Sequence, residues 1–241
     1  MDTRDGKRPR LACLHGAGGG GWEWEAWGEV FRAAGYAVRA PDLEPGNAGI
    51  AATTLDDYRA QAERLGAGSP VVLVGASLGG WLALAASAAV KPVARVLVNP
   101  VPPAGTEGWP PGRHDYPDVV PWGSAPDFRA TRRALPDGDF AAHLLAHRRW
   151  RDESGAVMRA LEEGAPVVPH VAPTLVLAGE LDGDVPPAVA RQLARDLKAD
   201  FVLVPNAWHL GPLLGASAPW AAALARDWLE GLLAGLDHVQ E

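Results

Sequence analysis

Cysteine occurs once, at Cys13, in a chain of 241 residues. Without a second thiol no disulfide can close within the chain, which excludes a disulfide-stapled secreted scaffold and fits a reducing compartment. A cytoplasmic location is the expectation. Cys13 sits inside an apolar run, the setting of a small buried hydrophobe rather than a nucleophile. No run approaches the roughly 18 apolar residues of a membrane span, so no membrane association is expected. The polar opening Met1 to Lys7 lacks the apolar segment of a secretion signal. Basic clusters interleaved with aromatics are missing too, and the formal net charge of -7 speaks against nucleic acid as a partner. The seven histidines form neither His-Glu-x-x-His nor a tight Cys/His cluster, so no metal is expected. His143 and His147, four residues apart on a predicted helix, have no third ligand nearby and read as a solvated face. The glycine run Gly18 to Gly21 lacks the Gly-Lys-Ser/Thr ending of a phosphate loop, which argues against a nucleotide.

What is present alternates. Leu11–Leu14, Ala37–Ala40, Val71–Val74, Val93–Val98, Thr174–Ala178 and Phe201–Val204 read as six short strands, largely apolar without clean alternation, as suits parallel strands covered on both faces. Helical patterns lie between them, at Glu25–Ala34, Leu55–Leu65, Ser77–Ala89 and Pro187–Leu197, and a last helix covers Pro219–Leu233. Thr54 and Asp57 supply a cap for the second helix. Strands separated by helices imply right-handed crossovers and a doubly wound α/β sheet. Residues 102–169 break the rhythm: prolines and helical patches at Phe128–Leu135, Phe140–Trp150 and Ser154–Glu163, and no convincing strand. The expected organisation is a core of residues 1–101 and 170–241 with a helical cap inserted at 102–169, anchored by Trp109, Trp122, Phe128, Leu135, Leu144 and Trp150.

The chemistry gathers where strands end. Gly75-Ala76-Ser77-Leu78-Gly79 joins the third strand to a helix through a sharp turn that exposes the Ser77 hydroxyl. Beyond the fifth strand come Glu180, Asp182 and Asp184, and beyond the sixth comes His209. Serine, acid and histidine therefore follow one another, and all three fall at the carboxyl edge of the sheet, where open α/β sheets bind ligands. An imidazole can take the serine proton during attack, and a carboxylate fixes the imidazole tautomer and stabilises its charged form.

Taken together, these segments resemble the α/β-hydrolase family over essentially the whole chain. The landmarks are Leu14-His15-Gly16-Ala17-Gly18, Pro41-Asp42-Leu43, the Ser77 pentapeptide, Gly179-Glu180-Leu181-Asp182 and His209. The stretch His15 to Trp24 is similar to the small esterase and hydroxynitrile-lyase branch. The resemblance implies Ser77 as nucleophile, Asp182 as acid (Asp184 and Glu180 are the other candidates) and His209 as base. Asn99 stands where some members carry their acid, and as an amide it cannot serve. The oxyanion donors would be the backbone N–H groups of Leu78 and Ala17, with Gly18 as the fallback, and His15 would shape the turn. Gly16, Gly18, Trp22, Trp109, Trp122 and Trp150 are the candidate substrate-binding residues. The family's opening hairpin has no room before Leu11, so a six-stranded, mostly parallel core is expected.

The resemblance implies a carboxylic ester hydrolase without a cofactor. If some of Trp22, Trp109, Trp122 and Trp150 line the cap, the pocket is apolar and broad and fits a small-molecule ester of small to medium, largely apolar type. Thioesters, lactones and C–C bonds are the alternative substrates, and a non-catalytic ligand receptor is the alternative role. Residues 104–168 contain no lysine, which disfavours the lyase, and Ser77 in place of an aspartate disfavours epoxide and dehalogenase chemistry. The sequence leaves the oligomeric state open and admits a homodimer.

Overall fold

The computed structural model describes residues 8–68, 70–109 and 115–238; Met1–Lys7 and His114 fall outside them. In chain order the elements of the core are β1 (Arg10–Leu14), α1 (Glu25–Ala33), β2 (Val38–Arg39), α2 (Leu55–Gly66), β3 (Val71–Ala76), α3 (Leu78–Val90) and β4 (Ala94–Val98). The excursion that follows holds β5 (Val119–Val120), α4 (Phe128–Ala134), α5 (Phe140–Arg149), β6 (Glu153–Ser154) and α6 (Gly155–Glu162). The chain then returns through β7 (Thr174–Gly179), α7 (Pro187–Leu197), β8 (Asp200–Val204), α8 (Gly211–Leu214) and α9 (Ala218–His238).

Six strands form one sheet in the order β2-β1-β3-β4-β7-β8, and every pairing is parallel. Alternate residues of each strand feed opposite layers. Ala12, Leu14, Val71 and Leu73 pack with α2, α3 and α7 on one face. Leu11, Cys13, Val72 and Val74 pack with α1 and α9 on the other. Burial on both faces is why the central strands β1, β3, β4 and β7 read as largely apolar runs. The predicted cap of α2 forms as a reciprocal pair, with Thr54 Oγ1 accepting from Asp57 N and Asp57 accepting from Thr54 N.

Two expectations need correction. The excursion does contain strands: β5 and β6 pair antiparallel, Val119 with Ser154 and Val120 with Glu153. Each is two residues long, and β6 is polar, so neither has an apolar period to read. His143 is not solvated. It is buried and its Nε2 lies 2.8 Å from the Leu135 carbonyl, because α4 and α5 fold back on each other around Phe128.

Candidate active site

Ser77 ends β3 before α3 begins, and its backbone lies in the left-handed region at φ 51°, ψ -117°. An L-residue there is strained, and such strain persists only where the surroundings impose it. Here they do. A Cβ on Gly75 would fall on the carbonyl of Gly79, and a Cβ on Gly79 would fall on the carbonyl of Leu14. Strand and helix can therefore approach closely enough to force the turn only with glycine at both positions. The Ser77 N–H donates to Val98 O at 3.1 Å, and Ser77 O accepts from Gly80 and Val101, which fixes the turn from three sides.

The carboxyl ends of β7 and β8 bring the acid and the base together. Asp182 Oδ2 lies 2.8 Å from His209 Nδ1, with the Asp182 side chain wholly buried and that of His209 12% exposed. Asp182 Oδ1 accepts the N–H groups of Asp184 and Val185 at 2.9 and 3.0 Å, so the carboxylate is held on both oxygens. Glu180 turns away and accepts from Asn206 N. Asn99 has a different task. Its Nδ2 donates to His209 O at 2.6 Å and its Oδ1 accepts from Gly179 N at 2.7 Å, bracing the two loops against β4. Burial pushes the His209 imidazole down, but the Asp182 charge and hydrogen bond outweigh it, with Asp184 and Glu23 adding, and the pKa rises to about 9. Ser77 Oγ has no hydrogen-bond partner among the described residues. The serine–histidine link is thus not made here, and such contacts commonly close only once substrate is bound.

Opposite Ser77 runs the loop after β1. A Cβ on Gly16 would lie 3.4 Å from Ser77 Cβ, which gives the closeness of approach. His15 is buried and bridges Gly16 O (Nδ1, 2.7 Å) and Leu43 N (Nε2, 2.8 Å). The Leu43 N–H needs an unprotonated Nε2, and burial lowers the pKa of His15 to about 4. The imidazole is therefore a neutral strut. Gly16 N–H donates to Glu23 Oε2 at 3.2 Å, and Gly18 N–H to Glu153 Oε2 at 3.1 Å. Gly18 is thereby occupied, and the fallback donor role does not pass to it. The N–H groups of Ala17 and Leu78 have no partner among the described residues.

The tryptophans divide. The Trp122 ring lies against the Cα of Gly18, and Trp22 meets Trp150 edge-on at 5.5 Å between ring centroids. Trp150 Nε1 donates to Thr131. Trp109 packs elsewhere, under α6, with Nε1 donating to Leu161 O. Trp122 is one-third exposed, less an anchor of the cap than a cover over the loop. Asp182, Asp184 and His209 also lie close enough to share an ion, but the bonds just described engage Asp182 on both oxygens. A groove of about 410 Å³ between β8 and α9 lies at the amino end of the strands, away from Ser77.

Sequence reasoning missed Glu23 and Glu153. Both are buried acids that hold the loop facing Ser77. The available signal for Glu23 was an acid wedged between Trp22 and Trp24 directly after the glycine run; Glu153 gave none.

The profile of the α/β-hydrolase family matches residues 11–226. Among solved structures, a methylesterase, MES16, from Arabidopsis aligns with a TM-score of 0.70 at 18% identity, over 91% of this chain and 98% of that one. A thermophilic esterase from Thermogutta terrifontis aligns with a TM-score of 0.63 at 20% identity, over 94% and 91%. A pyrethroid hydrolase from Sphingobium faniae JZ-2 aligns with a TM-score of 0.67 at 21% identity, over 90% and 96%. No curated protein matches the sequence. Identities this low carry the fold and not the substrate. The profile, however, runs from β1 through the Ser77 turn to the His209 loop and into α9, across the six-stranded parallel sheet described above; this chain belongs to the α/β-hydrolase family.

Proposed function

We propose that the protein is a serine hydrolase that cleaves carboxylic esters of small to medium, largely apolar substrates through an acyl-enzyme. The observation that carries this reading is the buried Asp182–His209 hydrogen bond at 2.8 Å, set at the same sheet edge as the strained Ser77 turn. Ester chemistry is favoured within the family by the neighbours, two of them named as esterases and one as a pyrethroid hydrolase.

In this reading Ser77 Oγ attacks the ester carbonyl carbon while His209 takes the hydroxyl proton and Asp182 stabilises the imidazolium. The carbonyl oxygen becomes an oxyanion between the N–H groups of Ala17 and Leu78, and each such donor contributes about 3 kcal/mol to the barrier reduction. Collapse breaks the bond to the alcohol, which leaves with the proton from His209. Water then attacks the acyl-Ser77 ester with His209 as base, and the second collapse releases the acid and restores the Ser77 hydroxyl. No step draws on a cofactor. Because His209 must be neutral to begin and its pKa is raised, activity increases as pH rises above neutrality.

The test is burst kinetics on p-nitrophenyl esters of increasing acyl length. The wild type should give a burst and steady turnover, with both lost in Ser77→Ala. Folded wild-type protein that binds these esters without turning any over refutes the reading.

A further inference from the structure

The loop that faces Ser77 is gripped by two buried carboxyl groups. From the excursion, Glu153 Oε2 takes the Gly18 N–H; from beneath, Glu23 Oε2 takes the Gly16 N–H. The N–H between these two, that of Ala17, is the one left unpaired. The two acids differ in what else they touch. Glu153 Oε1 accepts from the Tyr58 hydroxyl at 2.9 Å and from Ser154 N at 2.8 Å, and Arg151 lies nearby. Glu23 is 1% exposed, its Oε1 is buried without a partner, and its carboxyl rests on the Cα of Gly19. Among the described residues no ion pair reaches it.

The charged and titratable groups around Glu23 are few. His209 approaches from the loop after β8. Asp42, from the loop after β2, is engaged with Gly21 N at 2.7 Å, and His15 is the neutral strut already described. A carboxylate in this place would add a buried negative charge beside a developing oxyanion. A carboxylic acid would keep the useful contact, because its carbonyl oxygen still accepts the Gly16 N–H.

We propose that Glu23 is a positioning residue of the oxyanion loop that works as the neutral acid: it holds Gly16, so aiming the Ala17 N–H at the reaction, and its ionisation shuts the site. Burial supports this, raising the Glu23 pKa to about 8 against the pull of the Gly16 N–H and of His209. The inference rests on the hydrolase reading. It adds a coupling to that reading, since the productive state needs His209 neutral and Glu23 protonated. Loss of one proton from the pair has two results. One is the productive state; the other is the unproductive imidazolium–carboxylate state, which mutual attraction favours.

Glu23→Gln keeps an acceptor for Gly16 and removes the unproductive state. The bell-shaped pH profile of kcat/KM in the wild type should therefore widen in Glu23→Gln. Its alkaline limb disappears, and its acid limb moves to higher pH with a higher plateau, because the first proton is then lost from His209 alone and none of it is diverted to the unproductive state. Glu23→Ala, which frees the loop, should lose roughly tenfold or more in kcat with little change in KM. An alkaline limb unchanged in Glu23→Gln overturns the proposal. The ionisation can be followed apart from turnover, by 13C NMR of carboxyl-labelled protein with the Glu23 signal assigned by its loss in Glu23→Gln. Titration above pH 7 is expected, and a carboxylate already ionised at pH 5 overturns the proposal. A wild type that neither hydrolyses esters nor reacts at Ser77 with a fluorophosphonate refutes the hydrolase reading, and the carboxyl titration still decides the state of Glu23.

Discussion

Asp182→Asn separates the three acids that follow β7, and its effect can be worked out in advance. The asparagine Oδ1 can keep both backbone donors, Asp184 N and Val185 N, so the loop and the fold should stand. What changes faces His209. An amide N–H replaces the carboxylate oxygen at 2.8 Å, and it can be satisfied only if Nδ1 becomes the acceptor. The ring proton then moves to Nε2, and the imidazole loses its basic nitrogen on the side away from the acid. Loss of the correct tautomer and of the imidazolium's counter-charge should cost about 10³–10⁴ in kcat/KM, roughly 4–5 kcal/mol of transition-state stabilisation. The pH profile should move as well. Asp182 is the chief group raising His209, and without it the opposing effect of burial prevails. The residual activity should therefore lose its rise above neutrality. Asp184→Asn is the control. That side chain makes no hydrogen bond among the described residues, so its loss should cost less than about threefold and move the acid limb slightly down. The assay is kcat/KM on one p-nitrophenyl ester from pH 6 to 10, with 15N NMR reporting the His209 tautomer. A loss below about tenfold in Asp182→Asn, or a larger loss in Asp184→Asn, would falsify the assignment of the acid.

The loop opposite Ser77 offers a graded test. Glu153→Ala orphans three donors, Gly18 N–H, the Tyr58 hydroxyl and Ser154 N–H, and should cost about 3–5 kcal/mol in urea denaturation. Tyr58→Phe removes one of the three and should cost about 1 kcal/mol; equal costs would refute the account of Glu153 as the shared acceptor. Gly79→Ala should destabilise by more than about 2 kcal/mol, because the new methyl meets the carbonyls of Leu14 and His15. Gly231→Ala in the exposed stretch of α9 meets nothing and should stabilise by about 0.5–1 kcal/mol. Thermal denaturation of both variants checks the contrast, and two shifts of the same sign would contradict it.

The sheet was legible because it is parallel and covered on both faces. Each strand then writes itself as a largely apolar stretch, and the six stretches expected from sequence coincide with the six strands observed. The loops at its carboxyl edge were legible for a related reason. Tight strand-to-helix turns demand glycine, so Gly75, Gly79 and Gly179 announce where backbone crowds, and polar residues beside them stand out. The excursion was only half legible. Its helices carry caps readable in sequence: Asp127, Asp139 and Ser154 each accept from the first turn. Its two-residue ribbon has no period, and the burial of His143 depends on where α4 lies against α5, which no local pattern records. The carboxyl groups of Glu23 and Glu153 were beyond local reading for the same reason. Glu153 is 135 residues from the N–H it accepts, and that separation leaves no trace in spacing.

These long-range bonds bear on how the excursion and the catalytic edge depend on each other. Gly18 gives its N–H to Glu153 and takes the N–H of Arg151 on its carbonyl at 2.8 Å. Both backbone groups of one loop residue are therefore held by the segment around β6. On the other side, Asp137, between α4 and α5, accepts the N–H of Trp208, next to His209, at 3.3 Å. Arg151 also reaches Asp42 and Glu44 across the loop after β2; being exposed, those pairs are worth little alone. The excursion thus supports the loop of the proposed oxyanion donor and the loop of the proposed base, in addition to covering them. A segment that only lined the pocket would alter KM when loosened. One that holds Gly18 and Trp208 in place must alter kcat, because the donors and the base are aimed through it. Substrate choice and rate are accordingly hard to vary independently in this fold, since the side chains that would shape the pocket share a backbone with those that hold its machinery.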